Sequence, residues 1–296
     1  MSHTVYPDIV SMMLHSAWSS ASCLPHGEYL MTESNNVHRA KKSLGQNFLQ
    51  DQNICRRIVE AIAPQKSDFI IEIGPGQGAL TSFIKSNNPT KFMVLELDDE
   101  LASRLESKYP DIEVVRTDAL KYSWESLAHL GPCKIIGNLP YNVGSKLIWD
   151  IVSQVTSLQH AVFMVQHEVA LRLTATPGNK AYGGLTAWVN NFANTRYLFK
   201  VPPTVFRPRP KVDSAVVSFT PLPRSQWPAN PTNLSLLIKM LFQKRRKQLS
   251  TILKKHWSEE VDLWFENEKV KPEARPETLT PQQFLGLSQC VCIKKS

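Results

Sequence analysis

The stretch from Asp68 to Phe83 constrains the fold more than any other: Phe69-Ile70-Ile71-Glu72-Ile73 runs into Gly74-Pro75-Gly76-Gln77-Gly78 and then into Ala79-Leu80-Thr81-Ser82-Phe83. A short apolar run, a glycine loop and a helix-like segment in that order read as strand, turn and helix. Glycine lets the backbone approach a ligand at a distance that a Cβ forbids. Gly74, Gly76 and Ala79 also fit the G-x-G-x-x-G/A spacing of dinucleotide sites, so the loop alone does not separate NAD from S-adenosylmethionine.

Three further strand ends join it. Phe92–Leu95 ends in Glu96-Leu97-Asp98, where an acid can hydrogen-bond ribose hydroxyls. Ile112–Arg116 ends in Thr117-Asp118-Ala119, whose carboxylate can accept from an adenine amino group. The run Lys134–Ile136 leads into Asn138-Leu139-Pro140-Tyr141. Together the four ends describe one crevice at the carboxyl edge of a parallel sheet. Beyond it, Ser145–Val152 has helical spacing, His160–Val165 reads as a buried strand, and a helix starts near Gln166. Ala181-Tyr182-Gly183-Gly184-Leu185 introduces another helix, and Arg196–Val201 and Ser214–Phe219 read as a closing pair of strands. The expected fold is α/β, a doubly wound Rossmann-like sheet.

Asn138-Leu139-Pro140-Tyr141 read alone is a strand followed by a proline turn, or it resembles the tetrapeptide of N6-adenine methyltransferases. The chemistry suits the residue types. An exocyclic adenine amine has its lone pair delocalised into the ring and needs acceptors for its N–H groups before it attacks a methyl. The Asn138 amide oxygen and a main-chain carbonyl beside Pro140 can supply them, while Tyr141 offers a flat face to an extruded base.

Seven segments, in order, carry a wider resemblance: Lys42-Ser43-Leu44-Gly45-Gln46-Asn47-Phe48-Leu49, the Glu72 to Thr81 loop, Glu96-Leu97-Asp98, Thr117-Asp118-Ala119, Asn138 to Asn142, Phe163 to Val169, and Val201 to Val216. From about His38 to the C-terminal basic segment the chain resembles the KsgA-type ribosomal RNA adenine dimethyltransferases. The resemblance implies S-adenosylmethionine as cofactor, held by the residues matching Asn47, Leu49, Gly74, Glu96, Asp118 and Asn138. It implies dimethylation of two adjacent adenosines near the 3′ end of small-subunit (16S) ribosomal RNA, within an assembling subunit during ribosome biogenesis. Catalysis falls to Asn138, Leu139, Pro140 and Tyr141 by position and electrostatics, with direct in-line transfer and no strong general base. Monomethyl adenine keeps one N–H, so the same pocket serves a second transfer. Two positions depart from the family pattern: His167 stands where Lys or Arg is usual, and Thr186 where Ser is frequent.

Pro202, Pro203, Pro208 and Pro210 make the stretch up to Lys211 a loop of restricted shape. Within it, Phe206 is either a core anchor or, as the resemblance favours, a second stacking face for the target adenine; Arg207, Arg209 and Lys211 can meet phosphates. Pro223, Pro228 and Pro231 mark a linker before helix-like spacing from Leu234 to Leu253. We expect a catalytic domain over 38–222 and a smaller helical RNA-binding domain over 223–296. Lys244-Arg245-Arg246-Lys247, expected along helical turns, is either a solvated face or a phosphate-binding run.

A formal net charge of +8 on 296 residues suits a polyanionic partner and a sizeable core. No apolar run approaches the roughly 18 residues of a membrane span. The five cysteines lack paired C-x-x-C spacing, which argues against disulfides and zinc and for a reducing, cytoplasmic setting. We expect no metal, and a monomer without membrane attachment. Residues 1–37 show no sustained periodicity, basic start or long apolar core, so they read as a disordered extension or as sequence upstream of a start at Met31. A large-subunit rRNA methyltransferase, a DNA adenine methyltransferase and a non-catalytic assembly checkpoint are the competing readings.

Overall fold

The computed structural model describes Lys41 and residues 45–293. The N-terminal extension 1–37, Met31 and Lys42-Ser43-Leu44 lie outside the described residues, as do 294–296.

The chain opens with β1 (Phe48–Leu49) and α1 (Gln52–Ile62), whose N-cap Asp51 accepts from the N–H groups of Asn53 and Ile54. Alternation then follows: β2 (Phe69–Ile73), α2 (Thr81–Lys85), β3 (Lys91–Glu96), α3 (Asp99–Lys108), β4 (Glu113–Arg116), β5 (Cys133–Asn138), α4 (Gly144–Gln154), β6 (Leu158–Gln166), α5 (His167–Leu173) and α6 (Gly184–Val189). After these come β7 (Ala193–Val201), β8 (Phe206–Arg207), β9 (Ser214–Pro221), α7 (Pro231–Gln243), α8 (Leu249–Leu253), α9 (Glu259–Asn267) and α10 (Pro281–Cys290).

Seven strands make the main sheet in the order β4-β3-β2-β5-β6-β9-β7, and β1 pairs with β8 in a separate two-stranded ribbon. The pairs among β2, β3, β4, β5 and β6 are parallel; β9 lies antiparallel to both β6 and β7. Strand order reverses between β2 and β5, the place where open α/β sheets bind ligands at their carboxyl edge. Gly137 makes that junction possible, since a Cβ there would stand 2.7 Å from the Ile73 carbonyl oxygen.

Each face of the sheet has its own core. On one face Cys55, Ile58 and Ile62 of α1 pack with Ile70, Val94, Ile136 and Met164. On the other, Leu147 and Ile151 of α4 meet Ile135 and Phe163, and the same contiguous core takes in Leu234, Leu241, Phe284 and Leu287. The four C-terminal helices therefore pack as a layer continuous with the sheet, and the described residues form one compact unit.

Two expectations need correcting. The helical spacing from Leu234 to Leu253 is broken: α7 stops at Gln243, Lys244 to Lys247 form a turn, and α8 starts at Leu249. The break lets Leu249 and Ser250 donate to the carbonyls of Ala274 and Pro272, which a continuous helix would prevent. Phe206 does not present a stacking face. It is 1% exposed and packs with Val201 and Val216 in the first core, because β8 is drawn in by its pairing with β1. The core-anchor alternative holds.

Candidate active site

A crevice of about 280 Å³ opens at the carboxyl edge, lined by the ends of β2, β3, β4 and β5 and by residues 45–49. Asn47, Leu49, Gly74, Glu96, Asp118, Asn138, Leu139, Pro140 and Tyr141 all line it, so nine residues singled out in the sequence meet in one place. Leu49 is 4% exposed and contributes mainly apolar wall.

The loop after β2 settles what the spacing left open. Gly74 and Gly76 have φ of +62° and +57°, accessible to glycine at little cost. A Cβ on Gly76 would also lie 3.1 Å from the Phe48 ring. The glycine N–H groups are already committed: Gly74 N donates to Leu95 O at 2.9 Å, Gly76 N to Glu96 Oε2 at 3.0 Å, and Gly78 N to Pro75 O at 2.9 Å. A pyrophosphate would need those donors. The lining also contains Glu72, Glu96 and Asp118 but no Lys, Arg or His among the described residues. Such a crevice suits an adenosine carrying a positive sulfonium and disfavours a dinucleotide.

Glu96 is held by three backbone donors, Gly76 N, Leu97 N and Asp98 N, at 2.9–3.0 Å. Burial pushes its pKa up, and these bonds oppose the shift. A carboxylate has about four acceptor positions, so room remains for ribose hydroxyls. Asp118 turns one oxygen to Leu120 N at 2.9 Å. Leu97 and Leu120, 50% and 37% exposed, border the crevice beside these two acids and form apolar walls suited to a flat ring. Sequence reading passed over both, although an apolar residue just beyond a strand end, where the chain turns outward, is the signal.

Glu72 was also missed. It sits in the fully buried strand β2, accepts from Thr81 Oγ1 at 2.7 Å, and is pushed up to about 8 by burial, a shift opposed by that hydroxyl and reinforced by Glu96. It is a mainly neutral carboxyl at pH 7 beneath the glycine loop.

At the β5 end the Asn138 amide donates from Nδ2 to Asn47 O at 3.0 Å, and no described group donates to its Oδ1. Pro140 O accepts from Val143 N and Gly144 N at 3.1 and 2.9 Å, starting α4. Among the described residues no backbone N–H is seen to donate to the carbonyl of Leu139, which leaves it open as an acceptor beside Pro140. Tyr141 is anchored by a 2.6 Å hydrogen bond between its hydroxyl and that of Ser214, a residue 73 positions away that no local pattern signals. Burial raises the Tyr141 pKa, with the Ser214 bond opposing, so the phenol stays neutral.

The basic residues divide. Arg207, Arg209, Lys211, Lys244, Arg246 and Lys247 are exposed. Arg245 is engaged within the fold: its Nε donates to Glu277 Oε2 and its guanidinium to Lys180 O, both at 2.7 Å.

The sheet order and the acid-lined carboxyl edge define an S-adenosylmethionine-dependent methyltransferase of the Rossmann-like class. Residues 37–291 match the family described as ribosomal RNA adenine dimethylase, and the chain belongs to that family. It is 53% identical over 254 residues to the ribosomal RNA small subunit methyltransferase A of Maridesulfovibrio salexigens, covering 86% of this chain and 96% of that protein. The like-named protein of Lawsonia intracellularis is 48% identical over 255 residues, covering 85% and 93%. Among solved structures, a dimethyladenosine transferase from Plasmodium falciparum superposes with a TM-score of 0.68 at 26% identity, covering 81% of this chain and 95% of that one. The 23S rRNA methyltransferase ErmE shares the fold, with a TM-score of 0.64 at 24% identity over 83% of this chain and 99% of that one.

Proposed function

We propose that this enzyme dimethylates the N6 amines of two adjacent adenosines near the 3′ end of small-subunit ribosomal RNA, within an assembling subunit. The observation that carries the reading is the Asn138 amide, whose Oδ1 is left for a substrate N–H at the rim of an acid-lined adenosine crevice.

S-adenosylmethionine supplies an electrophilic methyl on a sulfonium. Glu96 would hold its ribose, Asp118 its adenine amino group, and Gly74 the close backbone approach. Asn138 Oδ1 and Leu139 O accept the two N–H groups of the target amine, which restores nucleophilicity to a nitrogen otherwise conjugated with the ring. Tyr141 gives the extruded base a flat surface fixed by Ser214. The methylated ammonium loses its proton readily, so no strong base is required, and none is supplied by the neutral Tyr141. After one transfer a single N–H remains, and the two acceptors can orient it again. Exposed Arg207, Arg209, Lys211, Lys244, Arg246 and Lys247 would meet phosphates.

The protein would act as a cytoplasmic monomer. Among the described residues no helix is long and apolar enough to cross a membrane. The test is transfer of labelled methyl from S-adenosylmethionine to unmethylated small subunits, with Asn138→Ala as control and nucleoside mass spectrometry as readout. Dimethyladenosine from the wild type alone is expected. Product on large subunits or duplex DNA instead, or no product despite cofactor binding, would overturn the substrate assignment.

A further inference from the structure

Residues 45–49 cross the crevice and are fastened at both ends. At one end β1 pairs with β8 through Phe48 and Arg207, and through Leu49 and Phe206, and Gln50 N donates to Val205 O at 2.8 Å. At the other end Gln46 Nε2 donates to Asp98 Oδ2 at 3.1 Å, and Lys41 Nζ reaches the same oxygen at 2.9 Å. Lys41 N also donates to Gln46 Oε1 at 2.7 Å, which fixes the orientation of the glutamine amide. Between the fastenings stands Asn47, whose carbonyl receives Asn138 Nδ2.

Asp98 is well suited to be an anchor. Its side chain is fully buried, it caps α3 through Glu100 N at 3.1 Å, and its own N–H donates to Glu96 Oε1. One short segment therefore links the acid at the end of β3 to the amide at the end of β5. The link matters because an Asn amide is nearly symmetric in shape and opposite in chemistry at its two ends. Rotated by half a turn, Asn138 would present N–H donors to an amine that itself must donate. Asn47 O is the one described partner of Nδ2, so it decides which end faces the crevice.

We propose that Gln46 and Asp98 are positioning residues for methyl transfer: their hydrogen bond holds the strap that carries Asn47, and the Asn47 carbonyl keeps Asn138 Oδ1 turned towards the target amine. This rests on the methyltransferase reading above and adds the device that sets its amide. Gln46 lines the crevice, and the side-chain bonds that fasten the strap run to Asp98 and Lys41, so through them it acts on the reaction by way of Asn47.

Two variants test it. Gln46→Ala removes the latch, and the isosteric Gln46→Glu keeps the shape but replaces the donor to Asp98 with a repelling carboxylate. The single-turnover methylation rate of small subunits at saturating S-adenosylmethionine should fall about tenfold in both, since small misplacements of a reacting group cost that much. The Kd for S-adenosylhomocysteine should move by less than about threefold, because Gly74, Glu96 and Asp118 keep their contacts and only the Asn47 and Leu49 side of the lining is loosened. In the nuclear magnetic resonance spectrum the Asn138 side-chain NH2 pair, assigned from its loss in Asn138→Ala, should shift and exchange faster with water in both variants. Unchanged rates in both variants would overturn the proposal, as would a loss confined to cofactor affinity and recovered at saturation. If the wild type methylates no ribosomal substrate, the substrate assignment fails while the Asn138 resonances still decide the strap: unchanged resonances sink it, and altered ones support it.

Discussion

The two edges of the same sheet treat their acids in opposite ways. At the amino edge, Asp68 meets Lys134 Nζ at 2.7 Å, both side chains are less than 15% exposed, and the ammonium also donates to Ala63 O at 2.8 Å. At the carboxyl edge Glu72, Glu96 and Asp118 gather with no cation among the described residues of the lining, and burial raises the pKa values of Glu72 and Glu96. One edge is electrostatically complete and serves stability. The other lacks a positive charge that a sulfonium ligand brings. If that contrast is right, changes at the carboxyl edge should act on catalysis and pH response, and changes at the amino edge on folding alone.

The largest effect should come from Asn138→Ala. Removing a preorganised polar group aimed at the reacting atom costs about 10²-fold or more in rate. The melting temperature should move little, since only one side-chain hydrogen bond is lost. Methylation assays beside thermal melts check both. A large fall in melting temperature would mean that the amide is structural, and the contrast between the edges would collapse at its main point.

Glu72→Gln comes next. The folded protein binds the Glu72 proton more tightly than the unfolded chain does, with a pKa near 8 against an ordinary 4.5. Its contribution to stability is therefore fully present below about pH 4.5 and is lost as pH rises through about 8, at up to about 1.4 kcal/mol per pH unit. Glutamine cannot ionise, so the variant's stability should be flatter across that window and exceed that of the wild type at alkaline pH. Denaturant unfolding at several pH values, without cofactor, measures this. Parallel curves for the two proteins would show that Glu72 is not the raised group.

Lys134→Met tests the other edge. It strands Asp68 half-satisfied in a partly buried setting, and breaking one partner of such a pair costs at most roughly 3 kcal/mol. The rate per folded molecule should be unchanged at temperatures where the variant remains folded. A specific loss of rate would show that the two edges are coupled.

What the sequence revealed follows the same division between local and distant contacts. Gly74, Glu96, Asp118 and Asn138 could be placed because each directly follows an apolar strand, and a parallel sheet brings all such ends to one edge. Ser214 under Tyr141 and Asp98 under Gln46 could not, because their partners lie 73 and 52 residues away and only the folded chain unites them. Phe206 shows how resemblance can misplace a side chain: the pairing of β8 with β1 buries it, and nothing in the proline-rich loop announces that strand. Charge patterns were the least legible. Lys244-Arg245-Arg246-Lys247 reads as four equivalent cations, yet Arg245 is spent on Glu277 and the Lys180 carbonyl while the other three face solvent.

That last difference sets the smallest predicted effect. Arg246→Glu with Lys247→Glu should weaken binding to small subunits by about tenfold at low salt and reduce the slope of log affinity against log salt by about two. Cofactor affinity should be unchanged, because neither residue lines the crevice. Arg245→Glu should behave differently: it places a carboxylate against Glu277, so part of its effect should appear as lost thermal stability of the turn and the helices around it. A salt titration of binding, paired with melts of each variant, separates phosphate contact from folding. Equal salt slopes for the double variant and the wild type would remove this turn from the RNA interface and leave Arg207, Arg209 and Lys211 as the remaining basic candidates.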